Sequence, residues 1–502
     1  MSQPTFFSSR AARVAALLFL FSIALAIRLY DLTDPPLDFH PTRQLLSAIK
    51  ARALYFKTRP AGYTDEQKDI GRRQARLKAQ VEPEVLETLV AYTYRFTGEK
   101  LWVARMYSSL FWLIGGIFLF LFVRRLVSFD AAIFSSAYYL LFPYAIIASR
   151  SFQPDPLMVM LVVAFWWASL VWLDLPAGAS SSRAWIAAGL AGIIGGLAIY
   201  VKFSAVFFVI GAALGLGLSR FTWRQMFRNG QIWLMAILGA LPALIHLFDG
   251  LQGGLANQFS GRFIPALLFS PYNYLAWMNK INLAAGGVFV MLGLLGFFLT
   301  TDRRFRALLF GLWGAYLLYS LYFNYHSATH DYYQLPLIPI VAVSLAPLGG
   351  WFFARLAEAA QGWQRSVVSI ILVGGLFMVV WNVRGQMKTV DHRQDAAMWT
   401  QISEIIQDRS VIGLVEDYGS ALEYYGYRTI PSWPYTGDTK YLLGGEMNIE
   451  KLFKNFSSKK DLFLVTDFEE LDRQPALKEL LKKYPVLESG NGFTIYDLRA
   501  LD

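Results

Sequence analysis

Four short segments of the sequence combine residue types that could do chemistry. In the first, residues 34–44, a carboxylate, an imidazole and a guanidinium lie close together at Asp38, His40 and Arg43. The carboxylate could act as a general base or a metal ligand, and the arginine could hold an anionic phosphate. The same residues also fit a proline-rich turn before a helix, with Asp38 or Thr42 as its N-terminal cap. Both interpretations stay open at this point.

The second and third segments each place one charge beside an apolar run. Ser-Arg-Ser-Phe-Gln-Pro-Asp155-Pro leads into such a run, and Asp155 there would complement the dipole of a helix. Two carboxylates from different helices, Asp38 and Asp155, could instead bind a cation or divide acid and base roles. Lys202 follows another apolar run. It could extend along the membrane interface, or meet a lipid phosphate as a point charge.

The fourth segment, residues 324–336, is rich in rings, with His326, His330, Tyr332 and Tyr333. Such a cluster could bind the face of a sugar and a phosphate, although a tyrosine belt at a membrane interface is a common alternative. The sequence has no glycine loop for phosphates, no zinc-ligand spacing and no nucleotide fingerprint. These absences argue against cytosolic nucleotide chemistry.

Composition indicates that lipid surrounds most of the elements that position these segments. Of 502 residues, 55% are hydrophobic and 16% are charged, against about 45–50% and 25% in soluble domains. With no cysteine, disulfides and thiol chemistry are excluded. Eleven apolar runs approach the length that crosses a hydrocarbon core of about 30 Å. They lie near residues 11–30, 103–123, 131–148, 157–173, 185–200, 203–218, 232–248, 283–300, 307–323, 335–353 and 367–383.

The arginines predict how these runs are oriented. If the N-terminus is cytoplasmic, every predicted cytoplasmic turn contains arginine, as the positive-inside rule requires. These arginines are Arg124, Arg125, Arg183, Arg220, Arg224, Arg228, Arg303, Arg304, Arg306, Arg355 and Arg365. The loop 31–100, the loop 249–280 and the residues after 384 then face the other side, together with all four candidate segments. The net charge of +10 is therefore interpreted as a topology signal, and no nucleic-acid partner is expected.

The extracytoplasmic segments contain predicted structure of their own. Residues 42–56 and 84–94 of the first loop predict interfacial helices, which make either a solvated loop or a cationic platform for lipid phosphates. After the last run, predicted strands at 411–415, 462–466 and 493–497 accompany predicted helices at 396–407 and 474–483. We therefore expect an α-helical polytopic membrane domain over residues 1–383, including loop 31–100, and a small α/β soluble domain over residues 384–502.

In their order along the chain, these segments resemble the GT-C superfamily of polyprenyl-phosphate-dependent glycosyltransferases. The resemblance is nearest to the branch of the aminoarabinose transferases and the protein O-mannosyltransferases, and it covers residues 10–351. It rests on Asp34 and Asp38, the segment ending in Asp155-Pro, Gly-Leu-Ala-Ile-Tyr-Val-Lys202, and His330-Asp-Tyr-Tyr-Gln-Leu-Pro. It implies transfer of a sugar, with inversion, from a polyprenyl phosphate to a hydroxyl of a lipid, glycan or protein on the extracytoplasmic side.

The resemblance also implies roles for individual residues. Asp38 matches the acidic residue that serves as general base or orients the acceptor, and Asp155 matches the second acidic position. The substrate-binding set is Arg43, Lys202, His330, Tyr332 and Tyr333. Where many relatives have an Asp-Glu pair, this sequence has Asp38-Phe-His40. Whether His40 shares the role of general base, and whether a divalent cation is needed, therefore stay open. No metal ligand or other cofactor is assigned.

Three alternatives compete with this interpretation. Glu416-Asp417-Tyr418-Gly419 resembles part of the Trp-Trp-Asp-Tyr-Gly motif of oligosaccharyltransferases, but both tryptophans are missing and chance is the better account. A transporter or flippase predicts inverted repeats and ionisable residues at mid-membrane, neither of which is evident. A structural assembly subunit would need no convergent carboxylates. The sequence thus favours an enzyme, integral to a bacterial inner membrane.

Overall fold

A computed structural model describes residues 5–78, 82–175, 182–252, 262–359, 362–437 and 448–501. The chain forms two compact units. The first comprises Met1–Leu32, Gln80–Leu86 and Val103–Thr389, and the second comprises Thr33–Ala79, Glu87–Trp102 and Val390–Asp502. Most of the first outer loop thus groups with the C-terminal residues. The domain boundary predicted at residue 383, with loop 31–100 in the membrane domain, stays a prediction.

Most of the described residues are helical. The helices in chain order are α1 (Arg10–Leu29), α2 (Pro41–Phe56), α3 (Asp65–Leu77), α4 (Val85–Thr97), α5 (Trp102–Leu126), α6 (Phe129–Leu141), α7 (Pro143–Ala148), α8 (Asp155–Leu173), α9 (Ser182–Val201), α10 (Ala205–Arg220), α11 (Trp223–Arg228), α12 (Gly230–Gln252), α13 (Pro271–Ala285), α14 (Gly287–Leu299), α15 (Arg303–Tyr322), α16 (Asn324–Thr329), α17 (Leu337–Ser344), α18 (Ala346–Ala359), α19 (Trp363–Met387), α20 (Asp395–Ile406), α21 (Ser420–Tyr425), α22 (Ile449–Ser457), α23 (Phe468–Asp472) and α24 (Pro475–Leu481). The strands are β1 (Val411–Leu414), β2 (Leu462–Val465), β3 (Val486–Gly490) and β4 (Phe493–Asp497).

The first unit contains the helices that can cross a membrane. Seven described helical segments are long and apolar enough to do so: α1, α5, α8, α9, α12, the run Asp331–Ala359 and α19. An eighth is counted if α13 and α14, which bend by 88° at their junction, form one span. The protein is therefore a polytopic membrane protein, as the sequence predicts. The predicted number of eleven spans is not confirmed, and α10 is shorter than the segments counted here.

Glycines let the membrane helices approach one another closely. A Cβ added at Gly211 of α10 would lie 2.5 Å from the carbonyl oxygen of Gly311, and one at Gly215 would lie 2.6 Å from that of Ala307. Only small residues permit such backbone contacts between membrane helices. Because the residue number rises along α10 as it falls along α15, the two helices are antiparallel. The C-terminus of α10 therefore lies beside the N-terminus of α15.

The helix ends of the first unit divide into two sets. At one end, Asp174 after α8 forms ion pairs with Arg125 of α5 and, at 2.8 Å, with Arg304 of α15. At this same end the indole of Trp172 donates to Gln231 Oε1 of α12 at 2.8 Å. The C-terminus of α10 joins them through its pairing with α15. We call this set the arginine end; the start of α8 and the end of α9 lie at the other end of the same helices.

The second unit is built around a four-stranded sheet with the order β1-β2-β4-β3. Strands β1 and β2 are parallel, whereas β4 pairs antiparallel with both β2 and β3. Its core contains Ile412, Phe463, Trp433, Phe453 and Leu477, all buried. The three predicted strands are confirmed, and β3 was not predicted. The helices predicted at 396–407 and 474–483 correspond to α20 and α24, and those predicted in the first loop correspond to α2 and α4.

A buried arginine fixes α2 within the second unit. Arg52 Nε lies 2.7 Å from Glu99 Oε1, and both side chains are almost fully buried. Arg52 Nη1 also donates to the carbonyl of Tyr424 at 2.5 Å, and the guanidinium lies 3.7 Å from the centroid of the Tyr424 ring. The guanidinium thus combines an ion pair, a backbone hydrogen bond and a cation–π contact. It connects α2, whose first turn includes Arg43, to α21.

Candidate functional site

A buried ion pair marks the candidate site in the first unit. Asp155 is the first residue of α8, and Lys202 directly follows α9. These two helices pack against each other, and the start of α8 lies beside the end of α9. Lys202 Nζ donates to Asp155 Oδ1 at 2.8 Å, with side chains 9% and 2% exposed. Asp155 Oδ2 is buried and has no hydrogen-bond partner among the described residues.

Two tyrosine rings enclose the lysine of this pair. Lys202 Nζ lies 5.4 Å from the ring centroid of Tyr332 and 5.3 Å from that of Tyr333. Both distances allow a cation–π interaction. The rings belong to the short turn Asp331–Gln334, where the hydroxyl of Tyr144 donates to Asp331 Oδ1 at 3.0 Å. The structure therefore brings together five of the residues that the sequence proposed: Asp155, Lys202, His330, Tyr332 and Tyr333.

A second cation, which sequence reasoning missed, stands beside the same rings. Arg262 Nη1 lies 3.1 Å from His326 Nε2 and donates to the hydroxyl of Tyr333 at 3.2 Å. Burial, followed by the charge of Arg262, lowers the pKa of His326 to about 3, so the imidazole is neutral at neutral pH. Its Nε2 therefore accepts from Arg262. No sequence pattern marked Arg262, because it lies outside any periodic run.

The histidines complete this cluster. The ring of His326 stacks on Tyr333 with centroids 5.0 Å apart, and His330 lies 5.5 Å from His326. We call the group of Asp155, Lys202, Arg262, His326, His330, Tyr332 and Tyr333 the cation cluster. The ammonium of Lys202 and the guanidinium of Arg262 are donors of the kind that can bind phosphate oxygens.

The other predicted residues lie in the second unit. His40 is the N-terminal cap residue of α2, with φ of +47°, and its side chain makes no cap hydrogen bond. The interpretation of Asp38 or Thr42 as the cap is therefore wrong. The hydroxyl of Thr42 instead donates to the carbonyl of Asp417 at 3.3 Å. A left-handed histidine is strained and needs support from its surroundings, and Gln44 Nε2 donates to the preceding carbonyl of Phe39 at 2.6 Å.

The structure thus groups the predicted site residues in two sets. Asp38, His40 and Arg43 share the turn into α2, whereas the remaining residues belong to the cation cluster of the other unit. The expected convergence of Asp38 with Asp155 stays a prediction, as do the catalytic and binding roles of all these residues.

The segment Glu416–Gly419 has unusual geometry that its sequence did not reveal. It follows β1, at the edge where the parallel strand β2 ends in Thr466 and Asp467. Asp417 and Tyr418 have φ of +51° and +55°, a left-handed backbone that costs energy in residues other than glycine. Burial and the charges of Asp417 and Asp467 raise the pKa of Glu416 to about 7. Glu416 can therefore exchange a proton near neutral pH.

The described residues do not fit a divalent-cation site. Within them, no group of three or more His, Asp or Glu side chains is placed to hold a metal ion. At the cation cluster, the position beside Asp155 Oδ1 is taken by the ammonium of Lys202 at 2.8 Å, whose charge would repel a metal ion. No step of the chemistry is therefore assigned to a metal.

Comparison with known proteins shows what the fold resembles. Residues 82–248 match the model of the dolichyl-phosphate-mannose-protein mannosyltransferase family. A search of curated protein sequences found no match. ArnT from Cupriavidus metallidurans in the apo state aligns with a TM-score of 0.59 and 14% identity, covering 97% of this chain and 98% of that chain. The same protein bound to undecaprenyl phosphate aligns with a TM-score of 0.59 and 14% identity, covering 96% and 98%.

A third structure, the archaeal oligosaccharyltransferase AglB from Archaeoglobus fulgidus in complex with an inhibitory peptide and a dolichol-phosphate, gives a TM-score of 0.55 at 11% identity. That alignment covers 98% of this chain and 74% of AglB. At such identities the structural matches show a shared fold, and the family match adds an independent sequence signal over α4 to α12. Together they show that the chain has the GT-C fold of the glycosyltransferase ArnT, and that residues 82–248 are similar to the protein mannosyltransferases.

Proposed function

We propose that this protein is an inverting glycosyltransferase that moves a sugar from a polyprenyl-phosphate donor to a hydroxyl of a lipid, glycan or protein acceptor. The observation that carries the proposal is the cation cluster. Both cations contact Tyr333, Lys202 at the ring and Arg262 at the hydroxyl. The undecaprenyl phosphate bound to ArnT and the dolichol-phosphate bound to AglB support the choice of a polyprenyl-phosphate donor.

The cation cluster would act on the leaving group. As the acceptor oxygen bonds to the anomeric carbon, the bond from that carbon to the phosphate oxygen breaks, and its electron pair stays on the lipid phosphate. The charges of Lys202 and Arg262 stabilise this developing anion. Lys202 is held by Asp155 at 2.8 Å, which keeps a buried cation in place. The rings of Tyr332 and Tyr333 offer apolar faces on which a sugar can stack.

The acceptor hydroxyl must lose a proton during this attack. We propose that Asp38 takes it, with His40 beside it in the same turn, because a carboxylate is a suitable base for a hydroxyl whose oxygen is forming a bond. The left-handed backbone at His40 sets the direction of this turn. The glycosylated acceptor and the free lipid phosphate then leave, and Asp38 releases the proton to solvent.

We further propose that transfer takes place on the extracytoplasmic face of a bacterial inner membrane. The support for this sidedness is the distribution of charge. Arg125 and Arg304, which are predicted to face the cytoplasm, lie at the arginine end, whereas Asp155 and Lys202 lie at the opposite ends of α8 and α9. By the positive-inside rule, the cation cluster is then extracytoplasmic.

The proposal is tested with the purified full-length protein and a panel of synthetic polyprenyl-phosphate sugars with radiolabelled sugar. Transfer into lipid, glycan and protein fractions is measured for the wild type, Asp38→Asn and Lys202→Gln. We expect a loss of about 100-fold to 1,000-fold for Lys202→Gln, since it removes one stabilising group from the transition state. Lys100→Gln, which changes an exposed lysine, is the matched control and should retain full transfer.

Two outcomes would overturn the proposal. Equal transfer by the wild type and both site variants would remove the roles given to Lys202 and Asp38. No transfer from any donor by a folded protein, together with movement of a labelled lipid-linked glycan across the bilayer of proteoliposomes, would instead favour a transporter or flippase. Repeating the assay with EDTA decides whether a divalent cation is needed.

A further inference from the structure

We propose that the arginine end is a binding surface for anionic phospholipid headgroups, centred on α11. This short helix joins α10 to α12 and begins with a capping box at Thr222 and Gln225. Its Met226 is buried against α10, where a Cβ added at Gly217 would lie 2.8 Å from Met226 Cε. One face of α11 is therefore anchored to the protein.

Two large aromatic side chains of α11 are exposed. Trp223 is 54% exposed and Phe227 is 65% exposed. The next helix continues this pattern, since the indole of Trp233, itself half exposed, donates to the carbonyl of Phe227 at 2.8 Å. Exposed tryptophan at the end of a membrane helix is typical of the interface between headgroups and acyl chains. The surface thus fits a lipid better than a soluble macromolecule.

The arginines of this surface carry charge that the protein does not neutralise. Arg224 and Arg228 of α11, Arg183 of α9 and Arg303 of α15 are all exposed. In the part of the chain that the structure describes, none of these four has a hydrogen bond, an ion pair or a ring contact with a protein group. Arg125 and Arg304, by contrast, are bound to Asp174. The four arginines are therefore available to an external anion.

The neighbouring carboxylates are already engaged elsewhere. Asp174 is shared by its two arginines, and Asp302 caps α15 by accepting from the backbone of Arg304 and Phe305. A phosphate diester in a lipid headgroup offers oxygens that match the paired donors of a guanidinium. An anionic phospholipid fits a surface that combines arginine with aromatic rings at the ends of membrane helices. Its phosphate would contact the arginines, and its glycerol and upper acyl chains would contact the rings.

The test measures lipid retention by the intact protein. Full-length protein in detergent is mixed with equal amounts of phosphatidylglycerol and phosphatidylcholine, and bound lipids are counted by native mass spectrometry. The wild type should retain phosphatidylglycerol preferentially. In the double variant Arg224→Gln with Arg228→Gln, the preference for phosphatidylglycerol over phosphatidylcholine should fall about fivefold for each arginine removed. The retained preference should also fall as salt is raised.

A matched double variant separates local binding from net charge. Lys451→Gln with Lys454→Gln removes two exposed charges from α22 in the second unit and should retain the wild-type preference. An equal loss in both double variants, or no preference in the wild type, would overturn the proposal. Trp223→Ser gives a second measure, because it keeps the charge and should weaken retention of both lipids. Since α11 lies outside the cation cluster, donor transfer in phosphatidylcholine should be unchanged in Arg224→Gln with Arg228→Gln.

Discussion

Replacement of Lys202 by methionine should destabilise the membrane unit through the carboxylate that it leaves behind. Methionine keeps much of the length of the side chain and removes the charge. Asp155, which is 2% exposed, would then be a buried carboxylate without its cation. The energetic effect therefore comes mainly from the partner that remains.

The expected magnitude follows from the distance and the burial. Two unit charges 2.8 Å apart attract by about 6 kcal/mol at an effective dielectric constant near 20. The cost of removing both charges from water offsets most of this attraction, so the intact pair contributes little in net terms. Breaking the pair is different, because one buried charge stays uncompensated, at a cost of about 3–5 kcal/mol. For a unit of this size that corresponds to a fall in Tm of the order of 10 °C.

The assay is thermal unfolding in detergent, followed by intrinsic fluorescence, for a complete double-mutant cycle. Lys202→Met and Asp155→Asn should each lower Tm, whereas the double variant, which removes both charges of the pair, should return to within about 3 °C of the wild type. Arg355→Met is the control, because its ion pair with Glu358 is exposed and surface pairs contribute about 0–1 kcal/mol. A double variant whose Tm falls by the sum of the single changes would refute the reasoning. So would single variants as stable as the control.

Three further predictions concern other parts of the chain. The pKa of Glu416 is raised to about 7, so the stability that this side chain contributes is present at low pH and is lost as pH rises from about 4.5 through 7. Glu416→Gln should therefore flatten the fall of Tm with pH in this window, and an unchanged pH profile would contradict this. Gly215→Leu should lower Tm strongly, since its Cβ would lie 2.6 Å from a backbone oxygen, whereas Gly375→Leu, with no atom within 4 Å, should not. Arg52→Lys, which keeps the charge and loses the planar contact with Tyr424, should cost about 1–3 kcal/mol in chemical unfolding of the second unit; equal unfolding midpoints would count against it.

Some of the candidate site could be predicted because its residues follow recognisable local patterns. Lys202 ends an apolar run, and Asp155 precedes one, so their positions at helix ends follow from hydrophobicity alone. Tyr332 and Tyr333 stood out as a cluster of rings. The structure places all four in the cation cluster. Arg262 had no such pattern, because its role depends on His326 and Tyr333, more than sixty residues away.

The second unit also combines features that the sequence predicted with features that it did not. Short apolar segments predicted three strands of its sheet, but β3 is exposed along its whole length and contains no such segment. The pKa of Glu416 depends on Asp467, which follows a different strand. Sequence comparison with a known motif treated Glu416–Gly419 as a chance likeness. The left-handed backbone at Asp417 and Tyr418 could not be inferred from their residue types, since neither is glycine.

By itself, the sequence determined that this is a polytopic membrane protein with a small α/β domain, and which segments contain charged and aromatic groups beside apolar runs. These properties depend on residues that are near one another in the chain, since the length of an apolar run decides whether a helix can cross a bilayer. Only the tertiary structure decided that Lys202 is paired with Asp155, that Arg262 faces His326, and that Arg224 and Arg228 are left without a protein partner in the described residues. Each of these depends on which helix ends meet, and that is set by packing between distant segments.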